Sequence, residues 1–328
     1  MSNLVAIDMG GTKIHLSLFD SRGQRLHGRH LGTRAARGPV EIMEEVDAVL
    51  QQLLAEHGLT KKNLQGVGVC IAGFYDRVSG IMRGSPNLPG WEMYPVKAEL
   101  ERLVDCLVLV ENDAAAAAYG EYLFGAGKGF DHLVHVTLGT GIGGGFILNG
   151  KLYHGSRGFA GEVGHIPLRP GGPLCGCGRR GCLETLASGK AIAREGIKLL
   201  KTGRSPVIQQ LAQEAGSLTA KLIFQAAAQN DPGAQKIISR AAFYLGQGLS
   251  VLVNLLNPQR ITMGGGMARV QETYFQEVEQ HLRASAVVAS AKTVKLVRGE
   301  LVEDAGIYGM VALLQEQLKD SAHPSDQR

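Results

Sequence analysis

Apolar residues open the chain at 4–8, stop at Asp8, and resume at 14–19 beyond glycines 10 and 11. Two apolar blocks around a glycine turn predict an antiparallel hairpin, unlike a strand-to-helix phosphate loop. A helical repeat of apolar positions follows over 40–56, then the strand-like VGVCIAG at 67–73, the loop SPNLPGW at 85–91, and a helix over 95–103. The next strand, 107–110, ends at Glu111, Asn112 and Asp113, where a helix of small residues begins with alanines 114–118. Asp113 suits the N-terminal end of that helix. A second hairpin is expected from apolar blocks at 133–138 and 146–148, separated by GTGIGGG. A Gly-rich and Cys-rich insertion over about 149–182 leads into helices over 188–201, 206–214, 218–229 and 232–255. Strand RITMG runs into glycines 264–266, and helices over 270–283 and 306–318 precede a polar tail, SAHPSDQR, expected to fray.

The strand-turn-strand opening is thus used twice, which predicts two facing α/β domains with a nucleotide between them. The border falls near Tyr119. A smaller first domain takes 1–118 together with a returning C-terminal helix of about 306–320, and a larger second domain takes 119–305 with the Cys-rich insertion. At 328 residues and 45% hydrophobic composition the chain has material for two cores. The 34 lysines and arginines against 30 acids are dispersed rather than gathered into tracts that grip nucleic acid. The opening MSNLVAIDMGG lacks the layout of a secretory peptide and no window approaches eighteen apolar residues, so a cytoplasmic protein with neither a membrane nor a nucleic-acid partner is expected.

DMGGTK at 8–13 and LGTGIGGG at 138–145 offer backbone N–H groups and the hydroxyls of Thr12 and Thr140. Such amide nests bind oxyanions. Neither loop fits GxxxxGK[ST], which disfavours a P-loop ATPase. Gly10, Gly11, Gly139, Gly141 and Gly143, with the third cluster Gly264, Gly265 and Gly266 after a strand, are the candidate phosphate contacts. Asp8, at a strand end, is placed to hold Mg2+ directly or through water.

Three of five cysteines, Cys175, Cys177 and Cys182, fall within eight residues, and with His165 they compose a Cys3His set. Four donors fill a tetrahedral Zn2+ and leave no place for catalytic water, so a structural zinc is expected. Glu162 and Glu184 flank the cluster, and the metal is expected to fix both acids. Loss of the metal is expected to disturb the site of these acids more than the Gly-rich loops, which lie elsewhere in the chain. Cys70 and Cys106, inside apolar runs, read as core residues, and His15 and His135 as packing or surface positions.

With these loops in place, the chain resembles the ROK family of bacterial sugar kinases and repressors, within the actin-like ATPase (ribonuclease H-like) superfamily. The motifs carrying the resemblance are DMGGTK, SPNLPGW, ENDAAAAAYGE at 111–121, LGTGIGGG, GEVGH at 161–165 and CGCGRRGCLE at 175–184. It implies duplicated α/β domains with a nucleotide and sugar cleft between them, and a homodimer or dimer-based tetramer. It further implies that Asn87, Asn112, Asp113, Glu162, His165 and Glu184 surround a hexose while the Gly clusters hold ATP. GFYD at 73–76 departs from the PGxxD form common in such kinases, with Phe74 at the proline position. Family repressors carry a helix-turn-helix ahead of the first phosphate loop, and Asp8 arrives too early for one. SPNLPGW, GEVGH and CGCGRRGCLET together are most like the glucokinases of the family, implying D-glucose as substrate and glucose 6-phosphate as product. Mannose, fructose, N-acetylglucosamine and N-acetylmannosamine are the alternatives, and a non-catalytic sugar-binding protein is the other class of reading. Phosphoryl transfer needs an acceptor for the hydroxyl proton, and Asp113, after the apolar strand LVLV, is the candidate base.

Overall fold

The first apolar block forms β1 (Asn3–Met9), buried throughout except at half-buried Asp8. Val5, Ile7 and Met9 join one hydrophobic cluster and Leu4 and Ala6 another. This is the alternation of a strand covered on both faces. The computed structural model describes residues 3–269 and 271–322. From His323 on, the tail lies outside the described residues, and its expected fraying with it.

From β1 the chain turns into β2 (Lys13–Phe19) and β3 (Arg25–Gly32), each antiparallel to its predecessor. It continues through α1 (Gly38–Ala55) to β4 (Leu64–Ile71), parallel to β1. A small hairpin of β5 (Tyr75–Asp76) and β6 (Ile81–Met82), then α2 (Val96–Leu103), lead to β7 (Leu107–Asn112), parallel to β4, and to α3 (Asp113–Phe124). The sheet order is β3-β2-β1-β4-β7.

The same scheme recurs. The hairpin β8 (Leu133–Leu138) and β9 (Ile142–Leu148) is followed by β10 (Lys151–Leu152). Helices α4 (Leu183–Ala187), α5 (Gly189–Leu200), α6 (Pro206–Ala215), α7 (Ala220–Ala228) and α8 (Pro232–Leu256) precede β11 (Arg260–Gly264). After α9 (Glu272–Ser285) and α10 (Val288–Thr293), β12 (Lys295–Arg298) closes the order β10-β9-β8-β11-β12, with β11 parallel to both β8 and β12. The last helix is α11 (Ala305–Ala322).

Packing divides the chain into two units, one running to Lys128 with Leu152–Gly161 and the stretch from Asp304 added, the other comprising Gly129–Lys151 and Glu162–Glu303. Tyr119, where the border was expected, lies inside α3, and the whole helix stays with the first unit.

In the first unit α1 covers one face of the sheet with Ile42, Val46, Leu50 and Leu53. The opposite face lies under α3 and α11. Those two helices cross at backbone distance, because a Cβ at Gly309 would overlap the Ala116 carbonyl oxygen and one at Gly120 the Ala305 carbonyl oxygen. Small residues at the crossing bring the start of α11 beside the start of α3, where Asp113 stands. In the second unit, the core joins β8 and β11 to α8 and α9, with Leu249, Val253, Tyr274 and Val278 at most 1% exposed.

Candidate active site

In the first unit, the turn after β1 is tied down by Gly10 N–H donating to the Lys13 carbonyl at 3.0 Å and by Thr33 Oγ1 donating to the Gly10 carbonyl at 2.6 Å. Gly11 is pressed against the SPNLPGW loop, since a Cβ there would come 2.7 Å from Asn87 Cβ. That loop is held by Ser85 Oγ, which accepts from the N–H groups of Asn87 at 3.2 Å and Leu88 at 3.1 Å. DMGG and Asn87, distant in sequence, are therefore neighbours, while the Thr12 side chain stays exposed.

Asn112 is the N-cap of α3, its Oδ1 accepting from Ala114 N–H at 2.9 Å and Ala115 N–H at 3.1 Å. Its Nδ2 donates to the Gly73 carbonyl at 3.1 Å. Capping thus falls to Asn112, and Asp113 occupies the first helical position. Burial pushes the Asp113 carboxyl above its ordinary 3.8, opposed by the N–H groups of Ala114 and of Asp113 itself. Asp8 and Cys70 share a register position on β1 and β4, and Gly306 at the start of α11 packs on them. A Cβ at Gly306 would lie 3.0 Å from Cys70 Sγ and 3.9 Å from both Asp8 Cγ and the Asp113 carbonyl oxygen. The candidate metal carboxylate and the candidate base thus meet around Cys70.

Sequence reasoning missed a second polar cluster in this unit. Asp76, fully buried, accepts at Oδ1 from Val78 N–H, 3.1 Å, and at Oδ2 from Arg83 Nη2, 2.8 Å, and Arg157 Nη2, 2.5 Å. Arg157 above all holds its carboxyl far below the usual carboxylate range. Phe74, at the position where related loops have proline, lines a cavity of about 370 Å³ with Asp76, Arg83, Arg157 and Phe159. The Asp of GFYD was the available signal, but Arg157 comes from a distant segment.

In the second unit, the hairpin turn is tighter than expected. β9 already begins at Ile142, and Gly143 is a strand residue paired with Thr137 rather than part of the turn. The turn itself is Gly139, Thr140 and Gly141, closed by Gly139 N–H to the Gly141 carbonyl at 3.0 Å. Gly265, at φ +80°, lies against the end of β8, where a Cβ would overlap the Leu138 carbonyl oxygen. The turn at 139–141 and Gly264 to Gly266 are therefore side by side.

Glu184, on α4 directly after Cys182, accepts the Ile142 N–H at 3.0 Å with Oε2. Gly189 N–H donates to the Gly139 carbonyl at 2.9 Å. The Cys-rich insertion and the Gly-rich turn, separate in sequence, are one packed assembly. The separation in sequence between the turn and the metal loop is not a separation in space.

His165, Cys175, Cys177 and Cys182 have their ligand atoms within 4.8 Å of one another. Cys177 Sγ is 3.7 Å from Cys182 Sγ, and His165 Nδ1 is 3.4 Å from Cys175 Sγ. A tetrahedral zinc with Zn–S of about 2.3 Å separates its sulfurs by about 3.8 Å, so these residues fit the ion. Gly181 makes the loop possible, with φ at +72° and a Cβ position occupied by the Arg169 carbonyl oxygen. The other ring nitrogen, His165 Nε2, faces Glu162 Oε2 at 3.7 Å, and burial lowers the His165 pKa, keeping a lone pair available.

Comparison with known proteins agrees with this construction. The model of the ROK family matches residues 4–317, and the chain belongs to that family. A glucokinase of Halalkalibacterium halodurans is 35% identical over 95% of this chain and 95% of its own length. A glucokinase of Thermotoga maritima is 35% identical over 96% of this chain and 98% of its own. The crystal structure of a ROK glucokinase from Streptomyces griseus in complex with glucose and AMPPNP superposes with a TM-score of 0.82 at 33% identity, covering 96% of this chain and 99% of that one. The duplicated sheets are those of the actin-like ATPase fold.

Proposed function

We propose that this chain is an ATP-dependent hexose kinase that phosphorylates D-glucose at its 6-hydroxyl, giving glucose 6-phosphate and ADP. The observation that carries the reading is Asp113, a half-buried carboxylate with a raised pKa, at the end of β7 and one residue beyond an asparagine that has taken over the helix cap. The glucokinase names of its relatives and the glucose bound to the Streptomyces griseus enzyme support glucose as the hexose.

In this mechanism Asp113 orients the hydroxyl and accepts its proton as the bond to phosphorus forms. Asp8 holds Mg2+ directly or through water, and the amides at Gly10 to Thr12, Gly139 to Gly141 and Gly264 to Gly266 receive the nucleotide. Asn87, Asn112, Glu162, His165 and Glu184 read the sugar hydroxyls. Asn112 does so with its remaining amide N–H, since its oxygen serves the helix. Zinc, held by His165, Cys175, Cys177 and Cys182, supplies rigidity: with Nδ1 toward the thiols, His165 keeps Nε2 for the sugar side. Among the described residues no helix is long and apolar enough to cross a membrane. In this reading the enzyme acts in the cytoplasm, as a homodimer or dimer-based tetramer.

The test is a panel of glucose, mannose, fructose, N-acetylglucosamine and N-acetylmannosamine with Mg-ATP, ranked by kcat/KM, with the phosphorylated carbon identified. Glucose is expected to lead. Another leading sugar replaces the substrate and keeps the kinase; nucleotide binding without transfer to any of the five makes the chain a sugar-binding protein instead.

A further inference from the structure

Residues in register on parallel strands project to the same face of a sheet. Asp8 pairs with Cys70, and Cys70 with Glu111, so the ends of β1, β4 and β7 carry a row of carboxylate, thiol and carboxylate. Glu111 is already engaged: its Oε1 accepts the Asn112 N–H at 2.9 Å and its Oε2 faces His154 Nε2 at 2.8 Å and Arg77 Nη1 at 3.7 Å. Cys70 is 0% exposed and roofed by the backbone of Gly306. Its Sγ and the Asp8 carboxyl lie beside one point: a Cβ at Gly306 would stand 3.0 Å from Cys70 Sγ and 3.9 Å from Asp8 Cγ.

An ionised carboxylate can only accept, and within this row the thiol is the neutral group able to donate. On the reading that Asp8 serves the nucleotide's Mg2+, we propose that Cys70 is a positioning residue whose S–H donates to the Asp8 carboxylate and fixes the orientation in which that carboxylate meets the metal. The thiol fits the row for three reasons: it is small enough to lie beneath Gly306, uncharged between acids, and a donor. Alanine satisfies the first two conditions and serine all three.

The experiment compares wild type, Cys70→Ala, Cys70→Ser and Asp8→Asn in three measurements: the Mg2+ dependence of turnover at fixed ATP, calorimetric binding of Mg-AMPPNP, and thermal melting. Cys70→Ala should raise the Mg2+ concentration for half-maximal rate and weaken Mg-AMPPNP about five- to tenfold, the scale of one hydrogen bond of ordinary strength, as suits a weak S–H donor, with kcat at saturating Mg2+ within about twofold. Cys70→Ser should return both to within about twofold of wild type. A packing role alone would lower the melting temperature without moving the Mg2+ requirement. A wild-type Mg2+ requirement in Cys70→Ala while Asp8→Asn is impaired overturns the proposal, as do equal shifts in the alanine and serine variants. A wild-type requirement in Asp8→Asn overturns the role of Asp8 on which the proposal rests. The calorimetric arm reads the same outcomes if the sugar assignment proves wrong.

Discussion

In the proposed mechanism the Asp113 carboxylate must be held in place yet remain available to a proton. The neighbouring Asn112 takes the helix cap, its side chain accepting from the N–H groups of Ala114 and Ala115, so that capping is not left to Asp113 alone. Asp113→Asn preserves size and loses the charge, and should lower kcat by at least about a hundredfold with little change in the KM for ATP. The base must be deprotonated to work, and burial has moved its pKa upward. The acid limb of the wild-type kcat profile should therefore fall through a pKa above the ordinary carboxylate value, and the asparagine variant should lack it. Steady-state kinetics across pH would remove Asp113 from this role if the variant turned over near-normally. The place of Asp113 was legible in sequence because the apolar run LVLV gives way to END where a helix of small residues begins. Cys70 was legible only as a buried residue. Its partners come from β1 and from the start of α3, and only strand register brings them together.

At the scale of elements, the metal loop and the second Gly-rich turn share their supports. Glu184 follows Cys182 by two residues and holds the amide of Ile142, the first residue beyond the turn. Stripping the protein with a chelator, with zinc followed by mass spectrometry, should therefore weaken hexose binding by at least about tenfold, a loss typical of disturbed groups around a metal. Mg-nucleotide binding should also weaken, though less. Unchanged nucleotide affinity in the stripped protein would show that the Glu184 contact transmits nothing to the turn, and full activity without stoichiometric metal would refute the zinc. The long periodic helices and the strongly apolar strands were all legible, with ends within a few residues of those found. β3 was not, because RLHGRHLG is a largely solvent-facing edge strand without clean alternation. Nor was β12, four residues long, whose main signal is the neighbour it pairs with. Gly143 was misplaced for the related reason that glycine signals a turn in sequence but tolerates a strand when opposite Thr137.

Across the whole molecule the sheet is built twice, and each copy buries a histidine near its hairpin. In the first, His15 is stacked on His30 at 3.9 Å and lies 2.6 Å from Arg25 Nη2. Burial first, then His30 and Arg25, lowers its pKa from 6.5 to about 4. In the second, His135 is 1% exposed with Nδ1 2.8 Å from Thr262 Oγ1. Burial alone lowers it from 6.5 to about 4. Both imidazoles are neutral in the folded chain at pH 7, and the unfolded chain takes up their protons first as the pH falls. Between about 6.5 and 4 the unfolded state therefore binds more protons, so stability is complete above that window and is lost as the pH drops through it. At about 1.4 kcal/mol per pKa unit, His135 contributes on the order of 3 kcal/mol to that loss. Asp113, whose pKa is raised, acts in the opposite direction, and Asp76, whose pKa is lowered, begins to matter only in stronger acid. Thermal melting of wild type and His135→Gln from pH 7.5 to 5 separates these contributions. The variant loses the imidazole contact with Thr262, so the comparison is of slopes rather than of absolute melting temperatures. Wild type should lose melting temperature steadily below pH 6.5 and His135→Gln should lose visibly less; parallel profiles over that range would mean that His135 is not the group being protonated on unfolding.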